Sequence, residues 1–185
     1  MNEFGRALRR WRRRRGVKQS HAAELFGVTQ PTLSRWERGH QRLPEAAARR
    51  LEQLLAAPLD AAGDAGLRRL VESSALPVHL ICDLTHRLLA ASPARFAHWQ
   101  VDAADLRGTS LWRFATEEIH QAESRLGALG WYDERSPELS FWTGANHDPV
   151  VPIEPGVLVW ERLCLSDGTL ARLVTSMPPR PNSGA

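Results

Sequence analysis

Apolar residues recur with helical spacing through the first third of the chain. Phe4, Ala7, Leu8 and Trp11 share one helical face, with Arg6, Arg9, Arg10 and Arg13 largely opposite. Gly16 ends that helix, and a second is expected from about Gln19 to Phe26, stopping at Gly27. Thr29 is a good N-cap for a third helix, Gln30 to about Arg38, with Pro31 in its first turn and Gly39 at its close. Pro44 opens a fourth, whose stripe is Ala47, Leu51, Leu54 and Leu55. Residues 57–66 are small and turn-prone and read as a linker. A short helix over roughly 65–75 follows, with Leu67, Leu70 and Val71 on one face.

From Pro77 the pattern changes. PVHLICD and RLLAAS read as two short strands joined at about Thr85. Helical stretches follow at PARFAHW and DLRGTSLWRF, then a longer helix over ATEEIHQAESRLGALGW, with Ile119, Ala122, Leu126 and Leu129 on one side. LSFWT reads as a strand, and NHDPVVPIEPG, with three prolines, as a loop. VLVWERLCL and TLARLVTS are strands joined by Ser166-Asp167-Gly168-Thr169, and an Asp-Gly between two apolar runs is a strong hairpin signal.

Charge changes this picture more than composition does. The 185 residues carry a net charge of +3, with 43% hydrophobic and 24% charged residues, ordinary for a globular chain. Residues 1–58, however, hold 13 of the 24 basic and 5 of the 21 acidic residues, a surplus of eight positive charges. The rest carries a deficit of five. Such asymmetry points to a nucleic-acid-binding part joined to something else. No apolar run reaches the ~20 residues of a membrane span. The start, MNEFGRALRRW, lacks the apolar core of a secretory signal. Cys82 and Cys164 form no metal spacing and no disulfide framework, so a cytoplasmic, nucleoid-associated protein is expected. No nucleophile elbow, phosphate-cradling glycine loop or paired acid constellation is evident, and no enzyme activity is expected.

The stretch LRRWRRRRGVKQSHAAELFGVTQPTLSRWERG, Leu8 to Gly39, resembles the phage-repressor (Cro-like, XRE) helix-turn-helix family. The match includes Arg12, Gly16, Gln19, Ala23, Gly27, Val28, Leu33, Trp36, Glu37 and Gly39 and covers roughly residues 4–56. Val28, Leu33 and Trp36 are expected to turn inward, which pushes Gln30, Pro31, Ser34 and Arg35 outward. The resemblance implies that this outward surface faces base edges in the major groove. There Gln30 can pair with adenine, Arg35 with guanine, and Pro31 can touch a thymine methyl. It also implies a phosphate contact for Gln19 near a helix N-terminus. Lys18, Thr32, Arg38 and Arg42 are the other candidates for DNA backbone. Arg12 and Glu37 match a pair that forms an internal salt bridge in the family. Glu24, the lone acid of the second helix, matches a position that some family activators use toward polymerase.

The order strand, strand, short helices, long helix, three strands over roughly 73–177 resembles a PAS domain. Val78–Asp83, Arg87–Ser92, Pro93–Trp99 and the phrase DLRGTSLW carry the resemblance, with Ser92 where the family often has Asn. It implies a small five-stranded antiparallel sheet with helices on one face, used for dimerisation, for binding a small molecule, or both. Phe96, Trp99, Trp112, Phe114, His120, Phe141 and Trp160 are the candidate pocket residues. His120, on the long helix, is where haem-binding relatives place an axial ligand, but a lone helical histidine is a weak signal and haem is disfavoured. No metal ligand set is expected, because no Cys/His pair has ligand spacing.

The expected fold is therefore multidomain, α plus α+β. A four- to five-helix helix-turn-helix domain spans 1–57, a linker and connecting helix 58–75, a PAS-like domain 76–177 and a flexible tail 178–185. The expected function is a transcription regulator bound, as a homodimer, to double-stranded DNA at an inverted repeat, with no membrane association. No cofactor is assured, and a small-molecule ligand of the PAS-like domain is open. RNA polymerase or another protein is a further candidate partner. The alternative is a C-terminal domain that serves only as a protein–protein interaction module.

Overall fold

The computed structural model describes residues 3–55, 62–132 and 138–177. The chain divides into two compact units, the first holding residues 3–55. Its helices are α1 (Glu3–Arg14), α2 (Gln19–Phe26), α3 (Gln30–Glu37) and α4 (Glu45–Leu55). Local chemistry sets their ends. Gly27 closes α2 with φ +65°, where a side chain would be strained, and the Val28 N–H reaches back to the Ala23 carbonyl at 3.0 Å. The Thr29 hydroxyl caps α3 by accepting from the Thr32 N–H at 3.4 Å. α1 and α2 both pack on α3, and α4 packs on α1. Leu8, Ala22, Leu33 and Leu51 are fully buried, and Trp36 is 2% exposed with its ring edge-on to Phe26. Gly5, which the apolar pattern does not single out, lies against the end of α3. A Cβ there would stand 2.0 Å from the Trp36 carbonyl oxygen.

The second unit opens with α5 (Ala65–Glu72), preceded by a one-turn 3₁₀ segment, Ala62–Asp64. Strands β1 (Val78–Cys82) and β2 (Leu88–Ala91) follow, then α6 (Pro93–His98), α7 (Ala103–Leu106), a 3₁₀ turn at Leu111–Phe114 and α8 (Glu117–Arg125). β3 (Leu139–Thr143), β4 (Gly156–Cys164) and β5 (Leu170–Met177) complete a five-stranded antiparallel sheet in the order β2-β1-β5-β4-β3. Alternation gives the sheet two apolar faces. Ile81, Leu158, Trp160 and Val174 join Trp99, Phe114, Ala122 and Leu126 in the main core. Val78, Leu80, Ala90 and Ala171 form a second cluster with Val71 and Leu67 of α5. The Ser166–Thr169 turn joins β4 to β5, with Gly168 at φ +81° and Asp167 Oδ1 accepting from the Thr169 N–H at 2.8 Å.

The sheet, with α6 to α8 over one face, is as the sequence implies, and several bounds differ. The segment assigned to 58–75 as linker and connecting helix contains a structural element of the second unit: α5 covers the other face of the sheet, so helices lie on both faces. α8 ends at Arg125, not near Trp131. The spacing of Leu126 and Leu129 continues the helical period, but Gly130 takes φ +69° and fully buried Trp131 bonds back to the Leu126 carbonyl at 3.0 Å. The tail at 178–185 and part of the linker, 56–61, lie outside the described residues. No helix of the described residues is long and apolar enough to cross a membrane.

Candidate nucleic-acid interface and cavity

One face of α3 is turned in and the other is turned out. Leu33, Trp36 and Glu37 are buried, whereas Gln30, Pro31 and Arg35 are exposed and Ser34 and Thr32 half-buried. The outward side chains are bonded to one another. Arg35 Nη2 donates to Thr32 Oγ1 at 3.3 Å, and Thr29 and Thr32 share a hydroxyl hydrogen bond at 2.9 Å. Arg38, exposed just past the helix, donates to the Ser34 carbonyl at 3.2 Å and to Ser34 Oγ at 2.9 Å. Lys18 and Arg42 are exposed to either side of this surface in sequence.

Behind the surface lies a charged anchor. Arg12 Nε donates to Glu37 Oε1 at 2.6 Å and its Nη2 to Oε2 at 3.1 Å, a two-point pair that fixes the carboxylate plane. Its Nη1 also donates to the Val17 carbonyl at 3.0 Å. The hydrogen bond to Glu37 raises the Arg12 pKa against the opposing effect of burial. Glu37 is only 4% exposed, and Arg12 is its ionic partner. Gln19 joins the anchor to the surface: its Nε2 donates to Glu37 Oε2 at 2.8 Å, and its Oε1 accepts from Gln30 Nε2 at 2.7 Å. The expected backbone contact Gln19 and the expected base reader Gln30 are thus one hydrogen-bonded unit.

In the second unit, a cavity of about 500 Å3 lies between the sheet and the helical side. That is within the ~300–1,000 Å3 range of small-molecule pockets. Ile81, Leu158, Trp160 and Val174 form its sheet wall, and Trp99, Leu111, Trp112, Phe114 and Ile119 its helical wall. Four of the seven expected pocket residues, Trp99, Trp112, Phe114 and Trp160, line it. Phe96, His120 and Phe141 do not. Phe96 is half-buried and edge-on to Trp99 at 5.5 Å. Phe141 stands edge-on to Trp160 at 4.7 Å. His120 is exposed and touches the edge of Trp112 at 4.4 Å, since its helical position points away from the core.

The sequence reading missed the charged groups of this cavity. Arg172, at an inward position of β5, is 1% exposed and lines the wall. Its Nη2 donates to Asp83 Oδ1 at 2.6 Å and its Nη1 to Glu123 Oε2 at 2.6 Å, and its guanidinium lies 4.2 Å from the Trp160 ring centre. The Trp131 indole donates to the same Asp83 at 3.2 Å. Burial opposes ionisation of Glu123, but His86, with Nε2 3.5 Å away, and Arg172 outweigh it and hold the carboxyl down at about 2. His86 is stacked on Trp112 at 4.4 Å. A single charged residue in an apolar strand was the only signal in the sequence. Among the described residues no group of three or more His, Cys, Asp or Glu is placed to hold a metal ion.

Residues 3–63 match a family model described as a helix-turn-helix domain. The N-terminal unit is thus a helix-turn-helix domain, and the second unit has the strand order and the helices between β2 and β3 expected of a PAS-like fold. The chain is also similar to the crystal structure of the PAS domain of an HTR-like protein from Haloarcula marismortui. There the identity is 15% and the TM-score 0.40, over 61% of this chain and 94% of that one. None of the curated proteins compared with the chain matches it.

Proposed function

We propose that the protein is a sequence-specific, DNA-binding transcriptional regulator of the Cro-like kind, a cytoplasmic homodimer whose PAS-like domain senses a small molecule. The outward face of α3 carries the reading. Gln30 and Arg35 present, on an exposed helix, the side chains that pair with adenine and guanine edges. Ser34 and Pro31 complete the base-facing set, and Lys18, Gln19, Thr32, Arg38 and Arg42 are assigned to the phosphate backbone. The positive surplus of residues 1–58 supplies the non-specific attraction on which such contacts act.

The cavity favours a sensor over a module that only docks another protein. Apolar aromatic walls with a few convergent polar groups are the make-up of a ligand site. A ligand regulates here by binding more tightly to one arrangement of the paired recognition helices than to the other. The protein is read as binding without catalysing a reaction.

The test is fluorescence anisotropy on fragments of the protein's own upstream region, over a range of salt. A sequence-selective shift that weakens with salt supports the reading. Equal binding to every fragment, or none at low salt, overturns it.

A further inference from the structure

The two arginines that line the cavity differ in one respect. Arg172 is neutralised by Asp83 and Glu123. Arg95, on α6 and 8% exposed, has no acidic partner among the described residues. Its Nη2 donates to the Pro77 carbonyl and to Ser176 Oγ, both at 2.6 Å, and its guanidinium lies 5.7 Å from the Trp99 ring centre. Its Nε is buried with no hydrogen-bond partner among the described residues. So is Nδ1 of His79, on the facing strand β1, whose ring is edge-on to Trp99 at 5.4 Å. Arg95, His79 and Ser176 all line the same cavity. Glu154, the acid that lines this cavity among the described residues, is exposed and forms no ion pair with Arg95.

A buried cation without a counter-charge is costly, and so is a buried donor without an acceptor. One acceptor carrying a single negative charge removes both costs. We propose that the cavity binds a small apolar monocarboxylate, its anion seated against Arg95 and His79 and its apolar body on the Trp112, Phe114 and Leu158 walls. This rests on the sensing reading given above and names its ligand class. A carboxylate accepts from Arg95 Nε and from His79 in its Nδ1–H tautomer, and Ser176 has a hydroxyl hydrogen left to give after accepting from Arg95. Burial and the nearby Arg95 charge hold His79 neutral, well below its usual pKa. Burial alone lowers Arg95, to about 10, so it stays charged at neutral pH. The cluster therefore offers one positive charge, which matches a monoanion and not a phosphate dianion.

The experiment is calorimetric titration of the full chain with decanoate, 4-phenylbutyrate and naphthalene-1-acetate, each beside its primary amide of the same shape. At least one acid is expected to bind about ten-fold or more tightly than its amide, an interaction lost with the charge-assisted bonds. In Arg95→Met the acid falls to the affinity of the amide, and the amide is unchanged. In Arg95→Lys, the check should the first variant fail to fold, part of the preference is kept. Equal binding of acids and amides by the native protein overturns the anion site and leaves the sensing reading intact. Retention of the full preference in Arg95→Met, or in Arg95→Lys where that alone folds, also overturns the assignment to Arg95. Binding of neither class overturns the sensing reading and this inference together.

Discussion

Gln19 and Gln30 are joined by a hydrogen bond of 2.7 Å, and its direction is set from inside the protein. Glu37 can only accept, so the Gln19 amide must turn its NH2 toward the carboxylate. Its oxygen then faces Gln30 and orders that side chain at the head of α3. The pair of Arg12 and Glu37 thereby reaches the outward surface of α3 through Gln19.

Glu37→Ala leaves the Arg12 charge, mostly buried, without its partner and frees Gln19. A loss of about 3–5 kcal/mol in unfolding free energy is expected, the usual cost of breaking a buried pair from one side. Glu37→Gln keeps the shape and loses less. Urea denaturation of the two variants checks the order.

Gln30→Ala and Arg35→Ala each relax base preference, by about 1–3 kcal/mol at one position of the operator. Lys18→Ala and Arg42→Ala act differently: they weaken binding to all sequences alike and lower the salt dependence by about one charge each. Anisotropy titrations on the operator and on single-base variants, at several salt concentrations, separate the two kinds of contact. If Gln30→Ala keeps full base preference, the assignment of Gln30 is wrong.

Gly5→Ala sets a methyl group against the Trp36 carbonyl, a backbone atom that yields only if α1 moves from α3. Overpacking of this kind costs about 1–3 kcal/mol. The expected outcome is a lower melting temperature of the N-terminal unit and weaker DNA binding, read by calorimetry and anisotropy.

Acid destabilises the PAS-like unit in two stages. His79 has a folded pKa well below its ordinary 6.5, so below that value the unfolded chain takes up a proton that the fold refuses, and stability falls with pH. Glu123 has a folded pKa lowered from 4.5 to about 2. Its contribution is complete above 4.5 and is lost as pH falls toward 2. Urea midpoints measured from about pH 8 to about pH 3 should show both slopes. His79→Phe removes the upper one and Glu123→Gln the lower.

What could be read in the sequence was mostly local. Gly27, Thr29 and Pro31 act on their immediate neighbours, and those ends of α2 and α3 fall where the residues indicate. The Asp167-Gly168 turn is legible for the same reason. Trp131 was misread because its place is set by Asp83, a distant residue to which its indole donates. Arg172 was passed over because its two carboxylate partners lie on other elements, and a strand pattern does not announce a buried charge. Phe141 and His120 needed the register of β3 and the facing of α8, neither of which apolar spacing fixes. Phe96 shares the core with Trp99, yet one turn of a short helix decides which ring meets the cavity.

The strand order also has a consequence for how the chain is made. β1, the first strand synthesised, pairs with β5, the last, residue for residue from Val78 opposite Thr175 to Cys82 opposite Ala171. Until β5 leaves the ribosome, β1 lacks its central neighbour, and the Arg172 that Asp83 and Glu123 require is absent. α1 to α4 make their contacts among near neighbours in sequence and are complete much earlier. Folding rate falls as contacts become less local, so the helical unit forms first and the sheet unit last. A nascent chain halted before β5 would carry α3, the proposed recognition helix, without the domain proposed to govern it.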